Sequence, residues 1–233
     1  DVAGKAPKRP RAFAYLGAYS NQRGETDKAI AYLTTALRLT PDSALLPGIY
    51  VELGNAFAFK SDRNKAIEYY KSAIDLDPSY ADAYINLGSQ YGAAGLMDEA
   101  VDSFLAALRL DPNSAKAYNN LGNVYFHRGM TEKATDAYHR AVQAEPEFAE
   151  AYRNLALVYH SRGLFEKSIE LFDIAIRLEP DVALWYVNRG DAYLKNGNTA
   201  QALADYKIGC TLRSEEGCGK FGSLTVDINA LLR

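Results

Sequence analysis

The sequence predicts an all-α solenoid of six stacked helical hairpins, closed by one further helix at the C-terminal end. Three observations support this fold class. Prolines recur every 34 residues, aromatic and small residues recur at the same phase, and a glycine separates the two helical runs in five of the six blocks. The chain has 233 residues and is 48% hydrophobic, which is sufficient for the continuous core that such stacking buries.

The prolines mark the ends of helices. Each follows an acidic residue at the end of an apolar run with helical period, and proline cannot continue a helix. The four positions are Pro78, Pro112, Pro146 and Pro180.

Several positions carry the same kind of residue at the same phase of every block, and we call each such set a column. Close packing between helices explains the columns of small and large residues. Small residues let two helices approach, and large residues fill the space that remains. The small column of the first run is Gly17, Gly54, Gly88, Gly122, Ala156 and Gly190. The large column of the second run is Leu33, Tyr70, Phe104, Tyr138, Phe172 and Tyr206. A leucine column precedes the small one, and Arg189 is its exception.

These columns resemble the tetratricopeptide repeat, whose 34-residue signature runs from an aromatic through Leu-Gly, Tyr, Ala and Phe to Pro. The resemblance covers residues 10–216. It implies a right-handed superhelix whose concave groove is lined by the first helix of each hairpin. The implied blocks are 10–43, 47–80, 81–114, 115–148, 149–182 and 183–216, with residues 44–46 as an insertion.

The two ends of the array differ from the repeats. Residues 1–9 contain Lys5, Lys8 and Arg9, so we interpret them as a polar basic linker, with a basic juxtamembrane tail as the alternative. The chain starts at Asp1, which we interpret as a fragment or a processed form from which an anchor could have been removed. Residues 217–233 are predicted to cap the array, with a helix over roughly 221–232.

The two cysteines of the chain, Cys210 and Cys218, lie close to this cap. A disulfide would join the cap to the last hairpin and would indicate an oxidising compartment such as a periplasm. Two free thiols are the alternative, and the α-carbon separation decides between them, because a disulfide requires about 7 Å or less. The localisation therefore stays open between cytoplasm and periplasm.

An asparagine recurs in the first run of the last four blocks. Core packing does not require asparagine, which is a mediocre helix former, and its amide carries both a donor and an acceptor. A ladder of amides can pair with the backbone of an extended peptide. The resemblance also implies peptide binding, since a similar ladder lines the peptide-binding arm of the family's sugar-transferring members. The alternative is that the amides bridge adjacent hairpins. The column is Asn86, Asn120, Asn154 and Asn188.

Further polar residues are predicted beside this column. A second column contains Asn55, Ser89, Asn123 and Asp191, and Leu157 interrupts it. The side chains predicted to contact those of a peptide are Asn123, Lys116, Arg153 and His127.

The sequence predicts a protein-interaction scaffold with a protein or peptide partner, and no enzyme. It contains no phosphate loop, dinucleotide fingerprint, metalloprotease motif or nucleophile elbow, so we expect no catalytic residue, cofactor or metal. A net charge of −3 disfavours nucleic acid as a partner. No run of 18 apolar residues occurs, so we expect no direct membrane insertion.

Two other functions remain open. The chain could be the substrate-docking or regulatory arm of a larger, membrane-anchored enzyme resembling a glycosyltransferase. It could also be a self-assembly scaffold whose solenoids pack end to end, or convex face to concave face.

Overall fold

The computed structural model describes residues 9–40 and 44–231, and over these ranges it contains thirteen α-helices and no strand. The all-α prediction is therefore confirmed, while the predicted linker lies almost wholly outside the described residues. The helices are α1 Pro10–Gln22, α2 Thr26–Leu39, α3 Leu46–Phe59, α4 Arg63–Leu76, α5 Ala81–Ala93, α6 Met97–Leu110, α7 Ala115–His127, α8 Thr131–Ala144, α9 Ala149–Ser161, α10 Phe165–Leu178, α11 Ala183–Lys195, α12 Thr199–Thr211 and α13 Glu215–Leu231.

The chain forms two compact units, residues 1–120 and 121–233. In the first unit α1 pairs with α2, α3 with α4 and α5 with α6, while α2 also contacts α3 and α4 contacts α5. In the second unit α9 pairs with α10 and α11 with α12, while α13 packs on α11 and α12. Each of the six predicted blocks thus contains two helices.

The small column lies directly against the large rings of the second helices. A Cβ atom placed on Gly88 would lie 2.8 Å from the Phe104 ring, and one on Gly190 would lie 2.6 Å from the Tyr206 ring. Both rings are buried. Since real Cβ contacts are not this short, the helices of each hairpin can approach only because the column is small.

The turn inside each hairpin uses the left-handed backbone conformation. Five turns place a glycine there, as at Gly95 with φ 78°, whereas the second hairpin uses Ser61 with φ 60°. The turns are otherwise alike: the residue after Ser61 donates its backbone N–H to the Phe57 carbonyl, as the residue after Gly95 does to the Tyr91 carbonyl. A Cβ is unfavourable in this conformation, so Ser61 is a strained position.

Replacing Ser61 with Gly is expected to stabilise the chain by about 1 kcal/mol, because glycine adopts this conformation without the Cβ penalty. Thermal unfolding measures the change. The matched control is Gly95→Ser, which is expected to destabilise the chain by a similar amount. A lower unfolding temperature for Ser61→Gly would contradict the assignment of strain.

Arg189, the exception in the leucine column, is held by two aspartates. Its Nε and Nη2 donate to the two carboxylate oxygens of Asp205 at 2.8 and 2.7 Å, and its Nη1 donates to Asp173 at 2.6 Å. Asp205 is only 3% exposed. Burial alone would lower the pKa of Arg189, but the hydrogen bonds and charges of Asp205 and then Asp173 outweigh it and raise that pKa. The arginine therefore joins α10, α11 and α12 through charge instead of apolar packing.

Asp205→Ala is expected to destabilise the chain by about 3 kcal/mol, because it leaves a largely buried guanidinium short of its main partner. The double variant Arg189→Leu/Asp205→Leu copies Leu155 and Leu171, the equivalent residues one block earlier, and should stay within about 1 kcal/mol of the native chain or exceed it. Chemical unfolding of both variants measures this. Equal losses in the single and double variants would show that the charges do not act as a pair.

The cap helix begins earlier than predicted. The expected start near residue 221 is wrong, because α13 begins at Glu215. The Ser214 hydroxyl accepts the backbone N–H of Gly217 at 3.0 Å and so caps the first turn, a local signal that the apolar spacing does not contain.

The cap covers the apolar end of the last hairpin. Phe221 and Leu224 of α13 pack on the cluster of Val187, Ala202 and Tyr206, and the side chains of Ile228 and Leu231 lie outside the described residues. A disulfide joins Cys210 of α12 to Cys218 of α13, with their α-carbons 4.3 Å apart. The cap is thus attached to the hairpin both by packing and covalently.

Candidate functional site

The asparagine column forms hydrogen bonds between the first helices of consecutive hairpins. In the first unit, Asn86 Nδ2 donates to Asn55 Oδ1 at 3.1 Å and Asn120 Nδ2 donates to Ser89 Oγ at 3.3 Å. In the second unit, Asn154 Nδ2 donates to Asn123 Oδ1 at 3.2 Å. Donor and acceptor are always 31 residues apart, so one N–H of each amide bridges neighbouring hairpins.

The same acceptors also receive a tyrosine hydroxyl from the second helix of their own hairpin. Tyr70 donates to Asn55 at 2.8 Å, and Tyr138 donates to Asn123 at 2.7 Å. Burial raises the pKa of Tyr70 and of Tyr138, so both hydroxyls stay protonated and able to donate.

The residue type in the second column depends on the large residue that the second helix of the same hairpin carries. Where that helix carries a phenylalanine and has no hydroxyl to donate, the residue 15 positions earlier is a serine or a leucine: Ser89 for Phe104, and Leu157 for Phe172. Both columns are visible in the sequence, so this relation between them could have been predicted from it.

At the C-terminal end a lysine replaces the bridging asparagine. Asp191 accepts from the Tyr206 hydroxyl at 2.7 Å, and its two oxygens also accept from Lys220 of α13 at 2.8 and 2.6 Å. Burial would lower the pKa of Lys220, but its hydrogen bonds to Asp191 and Glu216 outweigh burial and raise that pKa. The cap therefore continues the polar contact that the preceding hairpins make through an amide.

Asn188 breaks this pattern. The residue 31 positions before it is Leu157, whose side chain has no acceptor. Asn188 Nδ2 is buried and has no hydrogen-bond partner among the described residues. Of the four amides predicted to form a ladder, this one keeps its donors unused within the described part of the chain.

In the first unit, Lys116 lies beside the column. Its Nζ is 3.5 Å from Asn86 Oδ1, and its side chain is exposed. A pocket of 430 Å³ lies between Asn55, Ala58, Phe59, Tyr70, Asn86 and Lys116. Phe59, which is not among the predicted site residues, is 67% exposed at the end of α3. A cation, two amides and an aromatic ring thus surround one opening.

In the second unit, Arg153 lies beside the column. Its Nη1 donates to Asn154 Oδ1 at 2.9 Å, and Asn154 itself is only 5% exposed. His127 is exposed at the end of α7. The structure therefore brings Arg153, Asn154 and Asn123 together. His127 was predicted beside them, and it stays a prediction.

Two classes of site receive no support within the described ranges. No cluster of three or more His, Cys, Asp or Glu residues there could hold a metal ion. No helix in those ranges is both long enough and apolar enough to cross a bilayer.

Comparison with models of known protein families shows to which family the chain belongs. Models described as tetratricopeptide repeat match residues 115–148 and 161–213, and one described as TPR repeat matches 54–95 and 91–129. The chain belongs to the tetratricopeptide repeat family. This tetratricopeptide repeat protein is an all-α helical-repeat solenoid, and its repeats make it a protein-interaction scaffold.

Three solved structures illustrate the similarity. MamA is 32% identical over 69% of this chain and 94% of its own, with a TM-score of 0.61. The protein pilF of Pseudomonas aeruginosa is 18% identical over 94% and 97%, with a TM-score of 0.79. YrrB, described as a TPR protein with an unusual peptide-binding site, is 22% identical over 80% and 96%, with a TM-score of 0.58. No curated protein matched the sequence.

Two members of the asparagine column are expected to differ in their effect on stability. Asn154→Ala removes a bridging hydrogen bond and the acceptor of Arg153, so it should cost about 1 kcal/mol or more. Asn188→Ala removes an amide whose Nδ2 has no hydrogen-bond partner among the described residues, so it should be neutral or stabilising. Thermal unfolding of the two variants in parallel measures this, and an equal loss for both would show that Asn188 makes a contact of its own.

Proposed function

We propose that the chain binds an extended peptide segment of a protein partner on the faces of its first helices. The observation that carries this proposal is the opening beside Asn86. A pocket of 430 Å³ there combines an exposed ring, an exposed cation and two amides. Apolar contact area together with a few convergent polar groups is typical of binding sites, and aromatic residues are frequent binding hot spots.

The asparagines have a double role in this proposal. One N–H of each bridging amide is committed to the preceding hairpin, which fixes the orientation of the side chain. The second N–H of Asn86 and of Asn120 remains for a peptide carbonyl, because an amide nitrogen carries two donors. Asn154 is almost fully buried, so its contribution is to hold Arg153.

Side-chain recognition is assigned to residues around these amides. Lys116 and Phe59 would contact peptide side chains in the first unit, and Asn123, Arg153 and His127 in the second. YrrB supports peptide recognition as a function that a related fold can perform, since its description includes a peptide-binding site.

Other predictions from the sequence stay open. The Cys210–Cys218 disulfide supports an oxidising compartment, because cytosolic proteins rarely keep disulfides. Exclusion of nucleic acid, self-association and the role of docking arm in a larger enzyme remain predictions.

A displayed library of random 12-residue peptides, selected on the native chain, supplies probes for the first unit. Phe59→Ala and Lys116→Ala are each expected to weaken selected peptides at least about tenfold, because both groups contact the ligand directly. The affinities are measured by fluorescence anisotropy.

The matched controls are exposed residues of second helices, Leu76→Ala and Lys207→Ala. All four side chains are exposed, so the variants should unfold at the same temperature as the native chain. Selected peptides that bind the Phe59 and Lys116 variants as tightly as the controls would place the binding surface elsewhere.

A further inference from the structure

A second pocket of the first unit, with a volume of 460 Å³, lies between α4, α5 and α6. It shares no lining residue with the pocket of the proposed peptide site. Two tyrosines of α5, Tyr84 and Tyr91, line it, and we call it the tyrosine pocket. Its lining also includes three exposed carboxylates, those of Asp75, Glu99 and Asp102. Aromatic faces and carboxylates both attract cations, and here they surround one opening.

The tyrosine pocket is open because Ser103 of α6 is small. In the second hairpin the equivalent residue is Tyr69, whose ring stacks on the rings of Tyr50 and Phe57 with centroids 6.0 and 5.4 Å apart. Tyr50 and Phe57 are the equivalents of the two pocket tyrosines. In the fifth hairpin the equivalent of Ser103 is Leu171. The space that a large side chain occupies in the second hairpin is therefore available to a ligand in the third.

Two of the pocket carboxylates replace cations of the other hairpins. Four of the five residues equivalent to Glu99 are lysines, namely Lys28, Lys65, Lys133 and Lys167. Three of the five residues equivalent to Asp75 are arginines, namely Arg38, Arg109 and Arg177. Both reversals of charge line the same pocket. Packing does not explain them, because the other hairpins pack with the opposite charge at these positions.

The lysines of the other hairpins show what the position of Glu99 usually does. Three of them place their charge over the ring that is equivalent to Tyr91, within the range of a cation–π contact. The distance from Nζ to the ring centre is 4.9 Å for Lys65 over Phe57, 5.5 Å for Lys133 over Tyr125 and 5.6 Å for Lys167 over Tyr159. At Tyr91 the same position supplies a carboxylate in place of the cation.

The last hairpin contains the kind of cation that such a pocket can hold. There the guanidinium carbon of Arg189 lies 5.6 Å from the ring centre of Tyr186 and 5.7 Å from that of Tyr193. These rings are the equivalents of the two pocket tyrosines. Asp173 of α10 and Asp205 of α12 pair with the guanidinium. Helices α10 and α12 correspond to α4 and α6, which carry the carboxylates of the tyrosine pocket.

We propose that the tyrosine pocket binds the guanidinium group of an arginine side chain from a partner protein. The rings of Tyr84 and Tyr91 contact its planar faces, and the carboxylates of Asp75, Glu99 and Asp102 accept its N–H groups. A guanidinium suits this lining better than an ammonium, because it is planar, stacks on aromatic rings and presents several donors in a fixed fork. The inference concerns a different surface from the proposed peptide site and does not depend on it.

Lys71 is the one cation that lines the tyrosine pocket. Its Nζ lies 5.8 Å from the ring centre of Tyr91, and its side chain is exposed. One lysine against three carboxylates leaves the lining with a net charge of −2. Among the described residues, none of these three carboxylates forms an ion pair. Lys71 therefore does not neutralise the pocket.

The probe is N-acetyl-arginine methylamide, compared with the same derivatives of citrulline and lysine. Citrulline keeps the shape of arginine without its charge, and lysine keeps the charge without the planar group. Each probe is titrated at constant ionic strength up to about 100 mM, because a single side chain binds weakly. NMR follows the ring resonances of Tyr84 and Tyr91. We expect the arginine probe to bind at least about tenfold more tightly than the citrulline probe and about threefold more tightly than the lysine probe.

Two variants remove the site by copying residues of other hairpins. Glu99→Lys reproduces Lys65 and supplies an internal cation to Tyr91, while Ser103→Leu reproduces Leu171 and fills the space without a change of charge. Both should unfold near the native temperature, and both should weaken the arginine probe at least about tenfold.

The matched control is Glu170→Lys. It changes the net charge as Glu99→Lys does, but at an exposed position of α10 in the second unit, so it should leave the affinity unchanged. This comparison separates a local contact from a general effect of charge.

Three results would overturn the arginine site. They are equal affinity for the arginine and citrulline probes, unchanged binding in either Glu99→Lys or Ser103→Leu, and no shift of the Tyr84 and Tyr91 resonances at the highest concentration. None of them affects the proposed peptide site, which the Phe59 and Lys116 variants test separately.

Discussion

The close approach between a glycine of the first helix and an aromatic ring of the second helix of the same hairpin determines both the packing and the polar contacts of this protein. At Gly88 and Gly190 the space for a side chain is occupied by Phe104 and Tyr206. That approach sets the spacing of the two helices, and it also carries the hydroxyl of each tyrosine across to the first helix. The hydrogen bond from Tyr206 to Asp191 depends on it, as does the equivalent bond from Tyr70 to Asn55. Packing and polar contacts therefore have one geometric origin.

The polar contacts between hairpins depend on this packing of glycine against ring within each hairpin. The tyrosine of the same hairpin holds the acceptor in place for the amide of the next hairpin. Asn123, for example, accepts from Tyr138 and from Asn154. At the C-terminal end the partners are ions, because Lys220 of the cap takes the place of the amide and Arg189 joins three helices through two aspartates. A largely buried pair such as Arg189 and Asp205 contributes little net stability but penalises any arrangement that separates its members.

The residues that recur in every hairpin are those that packing requires. A residue that differs from its equivalents in the other hairpins therefore needs a separate explanation. Arg189 is a departure that the structure compensates fully, since its three hydrogen bonds go to aspartates. Arg153 and Asn188 are compensated less fully, since Arg153 Nε and Asn188 Nδ2 are buried and have no hydrogen-bond partner among the described residues. Natural sequences tend to break local consistency at functional positions, so departures of the second kind are the ones to test by mutation.

The sequence by itself determined the twelve repeat helices, five of the six hairpin turns and the small and large columns, because local periodicity and the conformational properties of glycine and proline act within a few residues. It also indicated the asparagine column, but it left open what the amides contact. Only the tertiary structure decided that Asn86 and Asn154 bridge hairpins, that Asn188 Nδ2 has no acceptor among the described residues and that Arg189 is paired. These partners lie 16 to 31 residues away on neighbouring helices, and periodicity specifies which face a side chain occupies but not which atom meets it there.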